Sequence, residues 1–267
     1  MSAVGFIGAG KMAEAMIGGL IERRYAEADR ILVSDVDTVR LADLRRRMGV
    51  RVADSNAGLV QDAEFFFLAV KPQQMEGVLD GIAPLVRESH VAVSIAAGKA
   101  LADIEGRIPR ARVMRVMPNI ACLAGEGMNV FTCGARATEA DAERLRGMLQ
   151  CCGKVMELPE PLFDAVTALS GSGPAFFAYL LDGLVAGAVR EGLSRDDAVV
   201  MAAQTMRGTA RLLLEGRFTP SDLAAAVTSA KGTTAAGREV LERPETSDLL
   251  ERTIQAAAQR SRELRRA

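Results

Sequence analysis

Histidine is almost missing from this chain: His90 is the only one in 267 residues. That excludes zinc sites built on two imidazoles and any mixed cluster that needs more than one. Cysteine is sparse as well. Cys122, Cys133, Cys151 and Cys152 form no C-x-x-C, and the vicinal pair cannot readily bridge itself. No metal ligands are expected, and the thiols read as buried or half-buried groups in a reducing cytosol. Neither sign of charge dominates, since 33 Lys+Arg face 34 Asp+Glu for a net charge of −1, which leaves no footprint for nucleic acid or an anionic membrane. The longest uncharged stretch, 165–181, falls short of a bilayer span and is interrupted by Ser170-Gly171-Ser172-Gly173-Pro174. At the N-terminus, Val4-Gly5-Phe6-Ile7 meets Lys11 and Glu14 without the long apolar run of a signal peptide. A cytoplasmic protein acting on a small neutral or anionic metabolite is the expectation.

What is present is an ordinary globular composition, 49% apolar and 25% charged, with enough chain for one large domain or two ordinary ones. Short β-rich runs at 4–7, 31–33, 65–70, 91–95, 113–116 and 128–132 alternate with helical stretches at 12–22, 38–48 and 139–150. Such alternation predicts right-handed crossovers and an α/β fold with a doubly wound, mostly parallel sheet. After Leu158 the texture changes: Pro159 and Pro161 punctuate the chain and only helical patterns follow. Pro174 suits a first helical turn, Ser194 caps a second helix running to about Glu215, and Thr219-Pro220-Ser221-Asp222 starts a third. The expected organisation is a dinucleotide-binding Rossmann domain over 1–160 and an all-helical domain over 161–267. The wide apolar stripes of those helices require a partner surface.

The first strand runs into Gly8-Ala9-Gly10-Lys11-Met12-Ala13, a G-x-G-x-x-A pattern. The first Gly permits the tight turn, the second lets a pyrophosphate approach the backbone, and Ala13 lets the helix pack close to the sheet. The second strand ends at Ser34-Asp35, where an acid accepts from the adenosine ribose hydroxyls. That acid favours NADH, because a 2′-phosphate would meet like charge and the nearest arginine in sequence, Arg40, lies inside the next helix. Asp35 or Asp37 as an ordinary helix cap is the competing reading. Ala69-Val70-Lys71-Pro72 and Ala96-Ala97-Gly98 follow two further strand ends and are the expected walls of the nicotinamide pocket. Lys71 also reads as a solvated helix-start residue, and Asn56 as a cap.

In the helical half, Val227-Thr228-Ser229-Ala230-Lys231-Gly232-Thr233-Thr234 is a hydroxyl-rich turn. A helix starting at about Thr233 would point free N–H groups out of it, making a carboxylate-sized anion site. Ser170-Gly171-Ser172-Gly173-Pro174 does not fit G-x-S-x-G and reads as a close-packing interdomain turn, and His90 at a strand start reads as structural.

Together these motifs resemble the Δ1-pyrroline-5-carboxylate reductase family over essentially the whole chain. Arg115-Val116-Met117-Pro118-Asn119 and Leu169-Ser170-Gly171-Ser172-Gly173-Pro174-Ala175 carry the likeness as well. The resemblance implies a Rossmann domain followed by a helical dimerisation domain, assembled as a homodimer or a ring of dimers. It implies hydride transfer from NADH or NADPH to the C=N carbon of a cyclic imino acid, giving L-proline. By the same resemblance Ser229 and the N–H groups of Gly232 and Thr233 hold the substrate carboxylate, and Thr234 bonds the ring nitrogen as the catalytic residue. Gly8, Ala9, Gly10, Lys11, Met12, Ser34, Asp35, Asn56, Ala69, Val70, Lys71, Ala96 and Ala97 line the dinucleotide. Two departures stand out: Ala230-Lys231 replaces the family's Pro-Gly, and Asp35 replaces an Arg suited to NADPH. A hydroxyacid dehydrogenase of similar layout would place a catalytic Lys on the first long helix of the second domain, and 174–190 contains none. A dinucleotide-sensing module would not require the 229–234 loop.

Overall fold

The four residues of the first apolar run are all buried, as a strand covered on both faces by helices must be. A computed structural model describes residues 3–266 and extends this run into an eight-stranded sheet. Its strands are β1 (Val4–Ile7), β2 (Ile31–Ser34), β3 (Arg51–Val52), β4 (Phe65–Leu68), β5 (Val91–Ser94), β6 (Arg112–Met117), β7 (Gly127–Cys133) and β8 (Gly153–Glu157). The order is β3-β2-β1-β4-β5-β6-β7-β8, and every pairing is parallel except β6 with β7. Two strands were not expected from the sequence. β3 has only two residues, too few to show a period, and β8 is joined to β7 through a crossover helix rather than by an alternating apolar run of its own.

The crossovers are α1 (Lys11–Glu22), α2 (Thr38–Met48), α3 (Asn56–Asp62), α4 (Met75–Ile82), α5 (Leu101–Glu105) and α6 (Glu139–Gln150). Alternate strand residues feed two cores. Phe6, Phe65 and Phe67 face α1, α2 and α6, whereas Ile7, Phe66 and Leu68 face α3, α4 and α5. Phe6 stacks on Phe67 with ring centroids 4.7 Å apart, and each such buried ring contributes roughly 1.5–3 kcal/mol. Asp37 caps α2, Ser55 caps α3 and Thr138 caps α6.

α7 (Phe163–Val166) leads through a π turn at Thr167–Gly171 into α8 (Gly173–Arg190), so Ser170 and Gly171 of the expected interdomain turn are helical and Ser172 is a bend between the two helices. The reason is local. Thr167 Oγ1 bonds back to Phe163 O at 2.7 Å, and Gly171 lies against Met117, whose methyl a side chain there would have to displace. By packing, the chain divides into compact units at 172/173, and 257–266 belongs with the first unit. That return is fixed by the buried Asp164, which accepts from Ser261 Oγ at 2.8 Å and pairs with Arg265 at 3.0 Å. The second unit, 173–256, holds α8, α9 (Arg195–Leu214), α10 (Pro220–Ala226), α11 (Thr233–Leu241) and the first part of α12 (Pro244–Arg266). Ser194 and Thr219 cap α9 and α10 as the sequence predicts.

His90 serves the fold. Its Nδ1 accepts from the Arg87 N–H at 2.8 Å, which leaves the proton on Nε2, 2.9 Å from Val60 O. The thiols are equally inert. Burial pushes Cys152 up to about 12, and burial with the neighbouring Glu157, Glu139 and Asp141 pushes the half-buried Cys133 up to about 11. At pH 8, Cys133 alone should react with a disulfide reagent in the native protein. It should do so about a hundredfold more slowly than an ordinary thiol of pKa near 8.5, because so little thiolate is present. Rapid labelling of two or more thiols without denaturant would contradict this packing.

Candidate functional site

Where β1 ends, the chain must turn sharply between two neighbouring strands. Gly8 has φ +104°, donates its N–H to Ser34 O at 2.7 Å, and lies so close to the end of β4 that a Cβ there would stand 2.6 Å from Ala69 O. Ala69 in turn donates to Ile7 O at 2.8 Å. The strand order places β1 between β2 and β4, so this turn sits at the switch point where α/β sheets open a crevice. Gly10 is the N-cap of α1 and supplies no capping side chain, and a Cβ added to it would meet no atom within 4 Å. The first N–H groups of α1 therefore face open space with the positive end of the helix dipole behind them.

Asp35 holds this turn in place. Its Oδ2 accepts from the Ala9 N–H at 2.7 Å and its Oδ1 from the Asp37 N–H at 2.9 Å. Asp37 separately caps α2 through the Arg40 N–H at 3.0 Å, so the two acids divide roles that the sequence left as alternatives for either. Ser34 Oγ donates to Asn56 Oδ1 at 2.7 Å, and the cap expected at Asn56 is supplied by its neighbour Ser55 instead. Around these groups lies a groove of 360 Å³. Among the residues picked from sequence it gathers Gly8, Gly10, Ser34, Asp35, Asn56, Ala69, Val70 and Lys71. Ala9 contributes its N–H to Asp35 and is otherwise buried. Lys11, Met12, Ala96 and Ala97 do not line this groove: Lys11 is exposed on α1, Met12 packs against the core, and Ala96 and Ala97 sit in the loop after β5, with the Ala96 side chain buried.

Sequence reasoning missed Val36, Asp37, Arg40 and Gln74 in the groove wall. Arg40 is the consequential one. It was expected to lie inside α2, away from the acid, yet its Nη1 is 3.8 Å from Asp35 and its Nη2 is 3.3 Å from Asp37. Helical side chains lean toward the helix N-terminus, and a first-turn arginine is thereby aimed back at the strand end.

In the second unit, the loop between α10 and α11 carries the other candidate residues. Lys231 takes a left-handed φ of +60°, and the Gly232 N–H closes the turn onto Ser229 O at 3.0 Å. The Gly232 N–H expected for a carboxylate is thus already used, because the turn needs it. What remains open is the start of α11: its N-cap is Gly232, no side chain caps it, and Ser229 Oγ lies beside it. Thr228 is committed elsewhere, to Ala224 O and Arg238.

Residues 160–264 match the family model described as pyrroline-5-carboxylate reductase dimerisation, and 3–98 match one described as NADP oxidoreductase coenzyme F420-dependent. A pyrroline-5-carboxylate reductase from Methanosarcina acetivorans is 38% identical over 98% of this chain and 97% of its own. The chain belongs to the pyrroline-5-carboxylate reductase family. Pyrroline-5-carboxylate reductase 3 of Rattus norvegicus is also 38% identical, over 98% of this chain and 95% of its own. Among solved structures, a pyrroline-5-carboxylate reductase from Coxiella burnetii superposes with a TM-score of 0.92 at 28% identity, covering 98% of each chain. The Plasmodium falciparum pyrroline carboxylate reductase with NADP bound superposes at 0.89 and 24% identity, over 99% of this chain and 98% of that one.

The pyrroline-5-carboxylate reductase dimerisation match gives the exposed apolar surface of α8 and α9 a purpose. Phe177, Leu184, Met201, Met206 and Leu213 line a groove of 670 Å³ between the two helices. By length and composition the helical run 160–190 is apolar enough to cross a membrane, contrary to the expectation that 170–174 breaks it, and this run lies within the dimerisation match.

Two substitutions separate backbone geometry from open space at the first turn. Gly8→Ala forces a Cβ into the Ala69 carbonyl at a disfavoured φ and should lower unfolding free energy by at least about 2 kcal/mol. Gly10→Ala, at φ −70° with nothing nearby, should stay within about 1 kcal/mol of the parent. Urea denaturation curves measure both, and equal losses would mean that the space at Gly10 is not free.

Proposed function

We propose that this chain reduces Δ1-pyrroline-5-carboxylate to L-proline, the last step of proline biosynthesis. The reading rests on full-length relatedness at 38% identity to reductases of that name. The dinucleotide, when bound, supplies the hydride that adds to the C=N carbon. Gly8 and Ala9 would shape the turn and Gly10, Lys11 and Met12 receive the pyrophosphate at the uncapped start of α1, where Gly10 leaves the room that a phosphate requires. Ser34, Asp35 and Asn56 would hold the adenosine ribose, and Ala69, Val70, Lys71, Ala96 and Ala97 the nicotinamide side. Asp35, Asp37 and Arg40 together carry a formal −1, two carboxylates against one guanidinium, which favours NADH over NADPH.

Ser229 and the free N–H of Thr233 would bind the substrate carboxylate, and Thr234 the ring nitrogen. A pyrroline nitrogen is basic enough to arrive protonated, so the protein must orient the ring, hold the carboxylate and stabilise the amine that forms, without a strong acid of its own. We take the assembly to be a homodimer or a ring of dimers, and the buried free thiols to fit the cytoplasm.

Oxidation of NADH and NADPH should be followed with pyrroline-5-carboxylate, piperideine-carboxylate and 2-keto acids in parallel. Turnover should be confined to cyclic imines, with the higher kcat/KM for NADH; reduction of keto acids alone would refute the reading. In the same assay Thr234→Ala should lose about ten- to a hundredfold in kcat/KM, mainly through kcat, since a hydrogen bond to a charged group is worth about 1.5–3 kcal/mol. Ser229→Ala should instead raise KM for the imino acid, because the carboxylate is charged in ground and transition states alike.

A further inference from the structure

We propose that Arg40 is the residue through which this chain senses a phosphate on the adenosine 2′-hydroxyl, and that Asp37 restrains it. The proposal rests on the groove being the dinucleotide site. Asp35 stands directly after β2, and a cation reaches the same rim from another element, the first turn of α2.

Asp35 is fixed, because each of its oxygens accepts a backbone N–H, from Ala9 at 2.7 Å and from Asp37 at 2.9 Å. It therefore cannot swing out of the way of a phosphate. Its remaining lone pairs suit the hydroxyls of an unphosphorylated ribose. A 2′-phosphate brought to the same place needs a cation. Two cations line the groove: Lys71, which follows β4, and Arg40, which stands on the Asp35 side.

Arg40 is placed to answer. Its side chain is 51% exposed, with Nη2 3.3 Å from Asp37 and Nη1 3.8 Å from Asp35. Exposed pairs at such distances are weak, so a doubly charged phosphate can draw the guanidinium away and engage it in a bidentate pair. Asp37 opposes this. It is pinned as the cap of α2 by the Arg40 N–H at 3.0 Å, so its carboxylate stays beside the guanidinium and competes with the phosphate. On this account NADH remains the better cofactor and NADPH is admitted only as far as Arg40 can be released. The exposed Val36, between the two acids, gives the same rim an apolar surface on which an adenine ring can lie.

The test is calorimetric titration of the full-length protein with 5′-AMP and with 2′,5′-ADP, which differ only in the 2′-phosphate. Arg40→Ala should weaken 2′,5′-ADP relative to 5′-AMP by about ten- to a hundredfold. Asp37→Asn keeps a good helix cap while removing the competing charge, and should strengthen 2′,5′-ADP severalfold relative to 5′-AMP. An unchanged ratio in Arg40→Ala overturns the role of Arg40 and leaves the reductase reading untouched, since no imine is involved. Failure of both nucleotides to bind the parent protein overturns the proposal together with the assignment of the groove.

Discussion

The first N–H groups of a helix must be satisfied by something, and at the glycine N-caps of α1 and α11 no capping side chain does it. Asp37, Ser55, Thr138, Ser194 and Thr219 each cap the helix that follows them. α1 and α11 begin instead at glycines, Gly10 and Gly232, without a capping side chain. These are the two helix starts to which the sequence assigns ligands, one per compact unit. The surrounding geometry keeps them open: Gly8 tucks the turn against β4, Asp35 ties Ala9 to the end of β2, and the αL turn at Lys231 folds Ser229 back beside Gly232. At Gly10, where a Cβ would meet nothing, a capping serine would close the site, whereas at Gly232 a Cβ would run into Ser229 Oγ.

This arrangement fits chemistry that asks for position more than for proton transfer. The one histidine is spent on joining the start of β5 to the end of α3, and the four thiols are held protonated by burial. A protonated imine needs a held carboxylate, an oriented ring and a nearby hydride donor, and backbone N–H groups with hydroxyls meet the first two needs. The absence of a second histidine, read at first as an exclusion of zinc chemistry, is consistent with that demand.

Much of the fold was legible because it is local. Gly49 ends α2, Thr219 starts α10, and the consecutive apolar residues of β1 and β4 announce a sheet covered on both faces. The Gly8–Ala13 turn was legible for the same reason, since its glycines answer to geometry within a few residues. What escaped depends on contacts distant in sequence or on side-chain direction. The return of 257–266 rests on one carboxylate, Asp164, which meets Ser261 and Arg265 about a hundred positions later. Counting residues put Arg40 in the next helix, whereas the lean of helical side chains brings its guanidinium back to Asp35. The use of the Gly232 N–H within its own turn follows from the φ of Lys231, a conformation that a lysine does not advertise.

Hydrogen–deuterium exchange tests most directly whether the glycine-capped starts of α1 and α11 are ligand sites. With NADH alone, peptides covering 8–14 should gain protection, and addition of L-proline to the oxidised complex should then protect 229–235, with the capped start of α9 unchanged in both. Protection that bypasses 8–14 and 229–235 would contradict the account, because these helix starts would then be open for a reason other than binding.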